Sequence, residues 1–501
     1  MKYIDYMQLN PFQRFWYNFS NAMKAFPGKL KNFFAAIGMF IANFFKGIGK
    51  AVAGYVSRFV KGDWAVKISY LIMGFGNMVK GQFIKGLLFL GLQVAFIAYF
   101  VFFGWGYLQK FPTLGTVEQG MQINPATGGY ELMAGDNSML ILLYGVLTIV
   151  LTVIFLAIYF ASTKSAYAVA QQVAAGEKPV DFVSEVKDLF DKKFHITLLA
   201  FPTLTISAFT ILPLIFMILI AFTNYNKAHL APGKLFTWVG FDTFSEIFAM
   251  TEGASKGATF VELTKWTLIW AVFATVLNYL FGMILALMIN KKGIKLKALW
   301  RTLFVITVAV PQFVTLLLMN QMLQADGAIN VLLMNVLGLI DKPIMFLNST
   351  PLVARITVIV VNCWIGIPYT ILITSGILMN IPADLYESAT IDGAGPVRTF
   401  FSITLPYMLF VTTPYLITNF IGNINNFNVI YLLTGGGPGT ENLYQAGYTD
   451  LLVTWLFNLT MNSLDYNLAA AVGILVFIVC ATISLVTFNL TKSANTEEEF
   501  S

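Results

Sequence analysis

Charge is scarce in this sequence. Asp, Glu, Lys and Arg make up 11% of the 501 residues, against 57% that are hydrophobic, whereas a water-soluble domain carries about 25% charge. The shortfall excludes an ordinary solvated surface. Cysteine is rarer still: Cys363 and Cys480 stand alone, each inside an uncharged apolar run. That excludes a disulfide framework and, with His195 and His229 as the two histidines, a Cys/His metal site. No G-x4-G-K-[ST] phosphate loop occurs, so the chain itself is not expected to hydrolyse ATP. The first 30 residues are basic and aromatic but lack a short apolar core followed by a small-residue cleavage point. No cleaved signal peptide is expected.

What is present is a series of long gaps between the few charges. Uncharged stretches run over 86–109, 137–163, 196–226, 266–290, 302–325, 356–383, 399–440 and 466–491. A bilayer core about 30 Å thick needs roughly 20 apolar residues in helical form, so each stretch can cross once. The 399–440 stretch ends in the polar run TGGGPGT (434–440) and reads as one span plus a loop. The fold class is therefore all-α, a polytopic membrane protein with eight transmembrane helices. An even number puts both termini on one side. With those termini inside, 24 of the 31 basic residues fall on inner segments, and retained Lys and Arg mark the cytoplasm. The predicted location is the bacterial plasma membrane, with both ends cytoplasmic. The net charge of +6 then faces anionic lipid headgroups, and nucleic acid is not an expected partner.

Five regions follow. Residues 1–85 form a cytoplasmic or interfacial N-terminal region. Within it Phe33, Phe34, Ile37, Phe40, Ile41, Phe44 and Phe45 recur at the spacing of a helix lying in the membrane interface. Residues 86–163 hold two peripheral spans. The 164–195 loop has mixed charge and reads as short surface helices. Residues 196–491 form a six-span core, and 492–501 a cytoplasmic tail. The outer loops 110–136, 227–265, 326–355 and 434–465 are too small for a substantial separate domain.

Transport against a gradient needs a source of work. The spans lack the ionisable groups that ion- and proton-driven carriers place in the membrane, and the chain has no nucleotide loop. The drive must enter from outside, and the elaborated inner loop NIPADLYESATIDGAGPVRTFFSITLP (380–406) is where it could be received. Asp384 is positioned to cap a helix beginning near Leu385, Pro382 sits just before it, and Gly393 and Gly395 end it. A second amphipathic stretch then runs to Pro406. An ordinary surface turn is the alternative.

Polar residues inside the spans give a second candidate. Asn419, Gly422, Asn423 and Asn426 fall at i, i+3, i+4 and i+7, one helical face. Amides facing lipid are costly, so this face meets a partner helix or a water-filled cavity. Neutral donors and acceptors suit sugar hydroxyls, while bridging between helices is an equally ordinary use for them. Asn362, Gly366 and Tyr369 share a face of the preceding span, which favours a cavity. Trp364 reads at least as well as a packing residue. The run GGGPG (435–439) reads as a flexible turn on the outer side.

Glu387-Ser388-Ala389, Gly393 and Ile403-x-Leu405-Pro406 resemble the EAA-x3-G-x9-I-x-LP signature of permease subunits of binding-protein-dependent ATP-binding-cassette importers, with Ser388 in place of the usual alanine. NCWIGIPYT (362–370), NFIGNINNFNVIYLLTGGGPG (419–439) and AGYTDLLVTW (446–455) look like the larger permease subunit of maltose/maltodextrin importers, the MalF type. The likeness is clear over 196–491, and the large external domain of the enteric proteins is absent, as in the shorter Gram-positive versions. The resemblance implies a type I importer core working by alternating access. It assigns ATPase coupling to Asp384, Tyr386, Glu387, Ser388, Ala389, Asp392, Gly393, Ile403, Leu405 and Pro406. It assigns sugar contact to Asn362, Ile365, Gly366, Tyr369, Asn419, Gly422, Asn423 and Asn426. Gly422 stands where the enteric type has a stacking aromatic, leaving room for a longer or differently bent oligosaccharide. The implied partners are a second, MalG-type permease, a cytoplasmic ATPase dimer that holds ATP and Mg, and an extracellular sugar-binding lipoprotein. No cofactor and no catalytic residue is expected in this chain. A membrane-embedded glycosyltransferase would need acidic catalytic groups, and the nearest, Asp384, Glu387 and Asp392, have no metal-ligand partners beside them.

Overall fold

The computed structural model describes residues 49–123, 128–249, 255–291 and 293–490, with isolated positions between 35 and 47. The seven apolar residues of the interfacial stripe, Phe33 to Phe45, and the 492–501 tail lie outside the described residues.

Among the described residues seven helices are long and apolar enough to cross a membrane: Phe83–Lys110, Ser138–Ala174, Phe194–Ile220, Lys256–Asn290, Pro351–Leu378, Pro396–Ile424 and Tyr466–Leu485. The eighth predicted crossing, the fifth in chain order, is a bent pair, Lys297–Ala309 and Gln312–Met322, meeting at 90°. Pro311 explains the break. A proline pushes its predecessor out of helical geometry, and Val310 is extended (φ −79°, ψ 124°). Counted in chain order with this bent pair as the fifth, the crossings are spans one to eight.

The starts of the long helices are chemically marked. Asn137 accepts from the Met139 and Leu140 amides at 3.1 and 3.2 Å, Ser255 accepts from Ala258 at 3.1 Å, and Thr350 precedes a proline at the first helical position. Each side chain satisfies amide donors that a helix start leaves open. At its far end span four is closed by basic groups: Lys297 donates to the Asn290 carbonyl at 2.9 Å and Arg301 to the Asn290 side chain at 2.9 Å. Cations there also complement the helix dipole.

The described chain divides into two compact units, 23–240 and 241–501. In the first, residues 64–79 fold as two short helices, Trp64–Ile68 and Phe75–Val79, that pack on span two and bury Ala65, Val66 and Met73. Gln82 and Lys85 reach Glu185 at 3.2 and 2.6 Å, tying this segment to the predicted surface helix of the 164–195 loop, seen at Phe182–Phe190. The 110–136 loop carries a small antiparallel hairpin, Gly120–Ile123 with Tyr130–Met133, the one sheet among the described residues.

In the second unit, spans four and six are its most buried crossings, 44% of each apolar window lying inside, against 6% for spans one and three of the first unit. Span four lies against both span six and span seven. Trp266, Trp270, Val358, Val361, Val429, Ile430 and Leu433 form the core on that side. Tyr279, Met283, Ile381 and Met408 form a second cluster toward the 380–406 loop.

In the first unit the short helices approach span one through two glycines. A Cβ on Gly86 would meet the Gly74 carbonyl and lie 2.9 Å from the Met78 nitrogen. Gly86→Val should therefore force these backbones apart at a cost of about 2 kcal/mol, read as a lowered thermal midpoint of the purified protein in detergent. An unchanged midpoint would contradict the close approach.

Candidate functional site

Spans four and six meet where each gives up a side chain. A Cβ on Gly282 would lie 2.5 Å from Thr370 Cβ, and one on Gly366 would lie 2.6 Å from Asn278 Cγ. Gly366 is thus a packing position against Asn278. Asn362, one turn before it, is buried with 4% exposure, and its Nδ2 has no hydrogen-bond partner. Asn278 is buried to 6%, and its Oδ1 is likewise unpaired. Buried polar groups are rarely left so. This unpaired donor and unpaired acceptor mark the four–six contact as a place where a polar guest or a helix shift finds ready partners.

The amides of span seven form a chain of bonds. Asn419 Nδ2 donates to the Tyr415 hydroxyl at 2.9 Å. Asn423 Nδ2 donates to Asn419 Oδ1 at 2.8 Å and to Thr275 Oγ1 of span four at 3.0 Å. Trp270 Nε1 donates to the Asn423 carbonyl at 3.0 Å. Asn423 therefore ties two spans together, the bridging use that sequence left open. Asn426 departs from the predicted face. The helix ends at Ile424, Asn425 leaves helical geometry (φ −98°, ψ 23°), and Asn426 Oδ1 caps the following helix Phe427–Leu433 by accepting from Val429 at 3.3 Å. The i+7 spacing holds only while the helix continues. Asn425, off that face, has its Nδ2 3.9 Å from Cys480 Sγ of span eight. At Gly422 nothing stands within 4 Å of where a Cβ would point, so that side of span seven is open.

Ile365 and Tyr369 belong to a third group. With Trp364 they line a cavity of about 200 Å³ whose other wall is Thr307, Val310, Gln312 and Thr315, either side of the break at Pro311. Tyr369 is 45% exposed. Sequence reasoning missed the threonines and glutamine because they sit in an apolar run that reads as one straight span. Pro311 within that run was the available signal. Thr275 and Asn278 were missed for the same reason in span four.

The 380–406 loop forms a helix over Ala383–Ile391. Three details of its sequence reading are corrected. Asp384 lies inside the first turn and makes no capping bond; Pro382 occupies the cap position, so the carboxylate acts through the helix dipole alone. Gly393 ends the helix in left-handed geometry (φ 72°), with the Gly393 amide on the Thr390 carbonyl at 3.1 Å and the Ala394 amide on the Ala389 carbonyl at 2.9 Å, the paired bonds of a Schellman cap. Gly395 instead opens the next helix, Pro396–Thr399. Nor does the second stretch stop at Pro406. It widens to i→i+5 bonding over Phe400–Thr404 and runs on as span seven through Leu405–Ile424, because Pro406 has no amide to offer the preceding turn. Ile403, Leu405 and Pro406 therefore stand at the foot of that span. The Tyr386 hydroxyl bonds Thr404 Oγ1 at 3.0 Å, anchoring the helix there. Ile391 and Val397 are 86% and 71% exposed.

The GGGPG run is no loose turn. Gly436 (φ 89°) lies directly against the Asp450 carboxyl, so that no Cβ fits. Asp450 is 1% exposed. Its Oδ2 accepts from the Gly447 amide at 2.8 Å, and its Oδ1 has no partner. Burial raises its pKa to about 6, against the lowering effect of the Gly447 and Thr454 bonds.

Sequence similarity places the chain among known proteins. Residues 278–493 match the family described as binding-protein-dependent transport system inner membrane component. The galactooligosaccharides transport system permease protein GanP of Bacillus subtilis is 35% identical over 85% of this chain and 97% of its own length. The maltodextrin transport system permease protein MalC of Streptococcus pneumoniae is 33% identical over 85% and 96%. The maltose/maltodextrin transport system permease protein MalF of Klebsiella aerogenes is 37% identical over 54% of this chain and 52% of its own length.

Two outcomes test the geometry. Asn423→Ala should cost about 1 kcal/mol by stripping a buried bond to Thr275, while Gly422→Ala should leave the thermal midpoint unchanged; equal effects would contradict the assigned contacts. A carboxyl raised by folding favours the folded state below its unfolded value of 3.8, and that advantage is lost as pH rises through about 6. Asp450→Asn should thus stabilise the protein at pH 7.5 by up to about 3 kcal/mol and make little difference near pH 4. A gain independent of pH would refute this.

Proposed function

The chain belongs to the binding-protein-dependent transport system inner membrane components, and from that premise we propose that it is the membrane permease of an ATP-driven oligosaccharide importer. Maltodextrin is the first substrate to test. Relatives named for maltodextrin and for galactooligosaccharides stand at nearly equal identity, so the class is argued more firmly than the member. The observation that carries the reading is the Ala383–Ile391 helix, with Ile391 and Val397 bare beside it on a loop between two crossings. Apolar side chains exposed outside the membrane call for a protein partner. A cytoplasmic ATPase dimer holding ATP and Mg is the partner that supplies work.

On this reading both termini are cytoplasmic and 380–406 faces the ATPase. Asp384, Glu387 and Asp392 give the docking helix its charge, Ser388 and Ala389 keep it slim, and Tyr386 transmits its position to the foot of span seven. A second, MalG-type permease completes the path, and an external binding lipoprotein delivers the sugar. The residues proposed for sugar contact divide by access. Tyr369, Ile365 and the open flank at Gly422 are reachable as the spans stand. Asn362, Gly366, Asn419, Asn423 and Asn426 become available as spans four, six and seven separate during alternating access. Neutral amides and a tyrosine ring suit hydroxyl-rich, uncharged cargo.

The test is uptake of labelled maltotriose into proteoliposomes holding this chain with its ATPase, second permease and binding protein. ATP-dependent accumulation is expected. Gly393→Pro, which cannot adopt the φ of 72° at that position, should abolish uptake while ATP hydrolysis by the assembled complex persists. Coupled uptake by that variant would remove the docking role. Accumulation by the purified chain alone would overturn the whole reading.

A further inference from the structure

The loop after span seven folds around a cavity of about 560 Å³, within the range of small-molecule sites, about 300–1,000 Å³. Its wall is made of glycine backbone and neutral polar side chains, Thr434, Thr440, Gln445, Asn458 and Asn462 among them. Among the described lining residues Asp450 is the one ionisable group, and it sits behind Gly436 at 1% exposure. No lining cation is present to attract an anion, and a single covered carboxyl is a poor cation site. What the wall offers is hydroxyl and amide donors and acceptors without net charge.

Two features show a built cavity. The loop is held shut from behind by the Asp450 knot: a Cβ on Gly447 would lie 3.0 Å from the Pro438 carbonyl and meet Gly436 as well, so the floor cannot move without unpacking. Gly439 is the opposite case. Its φ is not in the left-handed region and nothing lies within 4 Å of its absent Cβ. Neither backbone nor packing requires glycine there, and its bareness keeps the mouth open. Gln445 is held at φ 52°, a conformation a non-glycine residue adopts at a cost and one that clusters at functional sites.

We infer that this cavity is an outer saccharide subsite, which takes one end of an uncharged oligosaccharide on the membrane face opposite the 380–406 loop. The inference rests on the sugar reading above and adds a place to it. Asn462 Nδ2 donates to Asn458 Oδ1 at 3.0 Å, which leaves the Asn462 carbonyl oxygen to accept from a sugar hydroxyl. Gln445 presents a second amide from the rim, while the Thr440 hydroxyl is engaged within the loop, donating to the Tyr448 hydroxyl at 3.3 Å and accepting from the Asn442 amide at 3.1 Å. With no ring among the lining residues to stack on a sugar face, binding is weak, as suits a point of transfer rather than storage.

The test uses the assembled complex in lipid nanodiscs, without binding protein, titrated with maltotriose and followed by saturation-transfer NMR. Uptake into proteoliposomes is measured alongside. Gly439→Val fills the mouth, and Asn462→Ala removes one amide. Either should weaken maltotriose binding by about five- to tenfold, the worth of one or two net hydrogen bonds, with thermal midpoints unchanged. Wild-type affinity in both variants overturns the subsite, as does a wild-type complex that transports maltotriose without giving a transfer signal. If the variants lower binding-protein-stimulated ATP hydrolysis but leave sugar affinity intact, the cavity is a protein-docking surface and the inference fails. Absence of uptake by the wild-type complex with any oligosaccharide would instead sink the sugar reading itself.

Discussion

Span four must pass two neighbours inside a solvent that offers no hydrogen bonds, and the arrangement of the second unit follows from how it does so. Toward span six it comes close, with Gly282 under Thr370 and Gly366 under Asn278. Toward span seven it stays joined by polar bonds, from Thr275 to Asn423 and from Tyr279 to Thr412 at 2.8 Å. Without water to compensate, each buried amide or hydroxyl is either paired inside the bundle or left at a cost of 1–3 kcal/mol, on the order seen for unsatisfied groups. The unpaired atoms belong to Asn278 of span four and Asn362 of span six, between two polar ties that join those spans, Arg355 to Glu262 at 3.1 Å and Asn290 to Ser375 at 3.4 Å. The two sides of span four are therefore unequal in where their buried polar groups are satisfied.

That inequality bears on transport. A permease that alternates has to part some helices and keep others together. The four–seven contact is tied by side-chain bonds one turn apart, at Thr275 and Tyr279, while the four–six contact is tied at its two ends, by Arg355 on Glu262 at 3.1 Å and Asn290 on Ser375 at 3.4 Å, and carries unsatisfied groups between them. Near the latter, the break at Pro311 lets span five bend by 90° and leaves a cavity faced by Thr307, Gln312 and Tyr369. Irregular backbone at membrane depth is tolerated where it lines a cavity, and here it does.

Much of this was legible in the sequence. Charge spacing located seven straight crossings and the region of the eighth, because the hydrophobic requirement of a bilayer is nearly independent of tertiary context. The loop signature located the helix over Ala383–Ile391, and Gly393 ended it as a left-handed glycine should. The failures share a cause. Asn426, Gly395, Pro406 and the fifth span were all read on the assumption that a helix keeps its period or stops at the nearest breaker. In each case one backbone choice, at Asn425, Gly393, Phe400–Thr404 or Val310, changed what the next residues could do. The roles of Asn278, Thr275 and Asp450 depend on partners 88, 148 and 14 residues away, at Gly366, Asn423 and Gly436, and no local pattern announces them.

The hydroxyl of Tyr386 on Thr404 has a mechanical meaning. The short helix is stiffened at one end by its Schellman cap and pinned near its middle to the base of a long one. A load applied at the bare tip, Ile391, then has a lever arm and a fulcrum. On the proposed docking, it would reach span seven as torque rather than be absorbed as bending of a slack connector, and the asparagines at the far end of that rod are what it would turn.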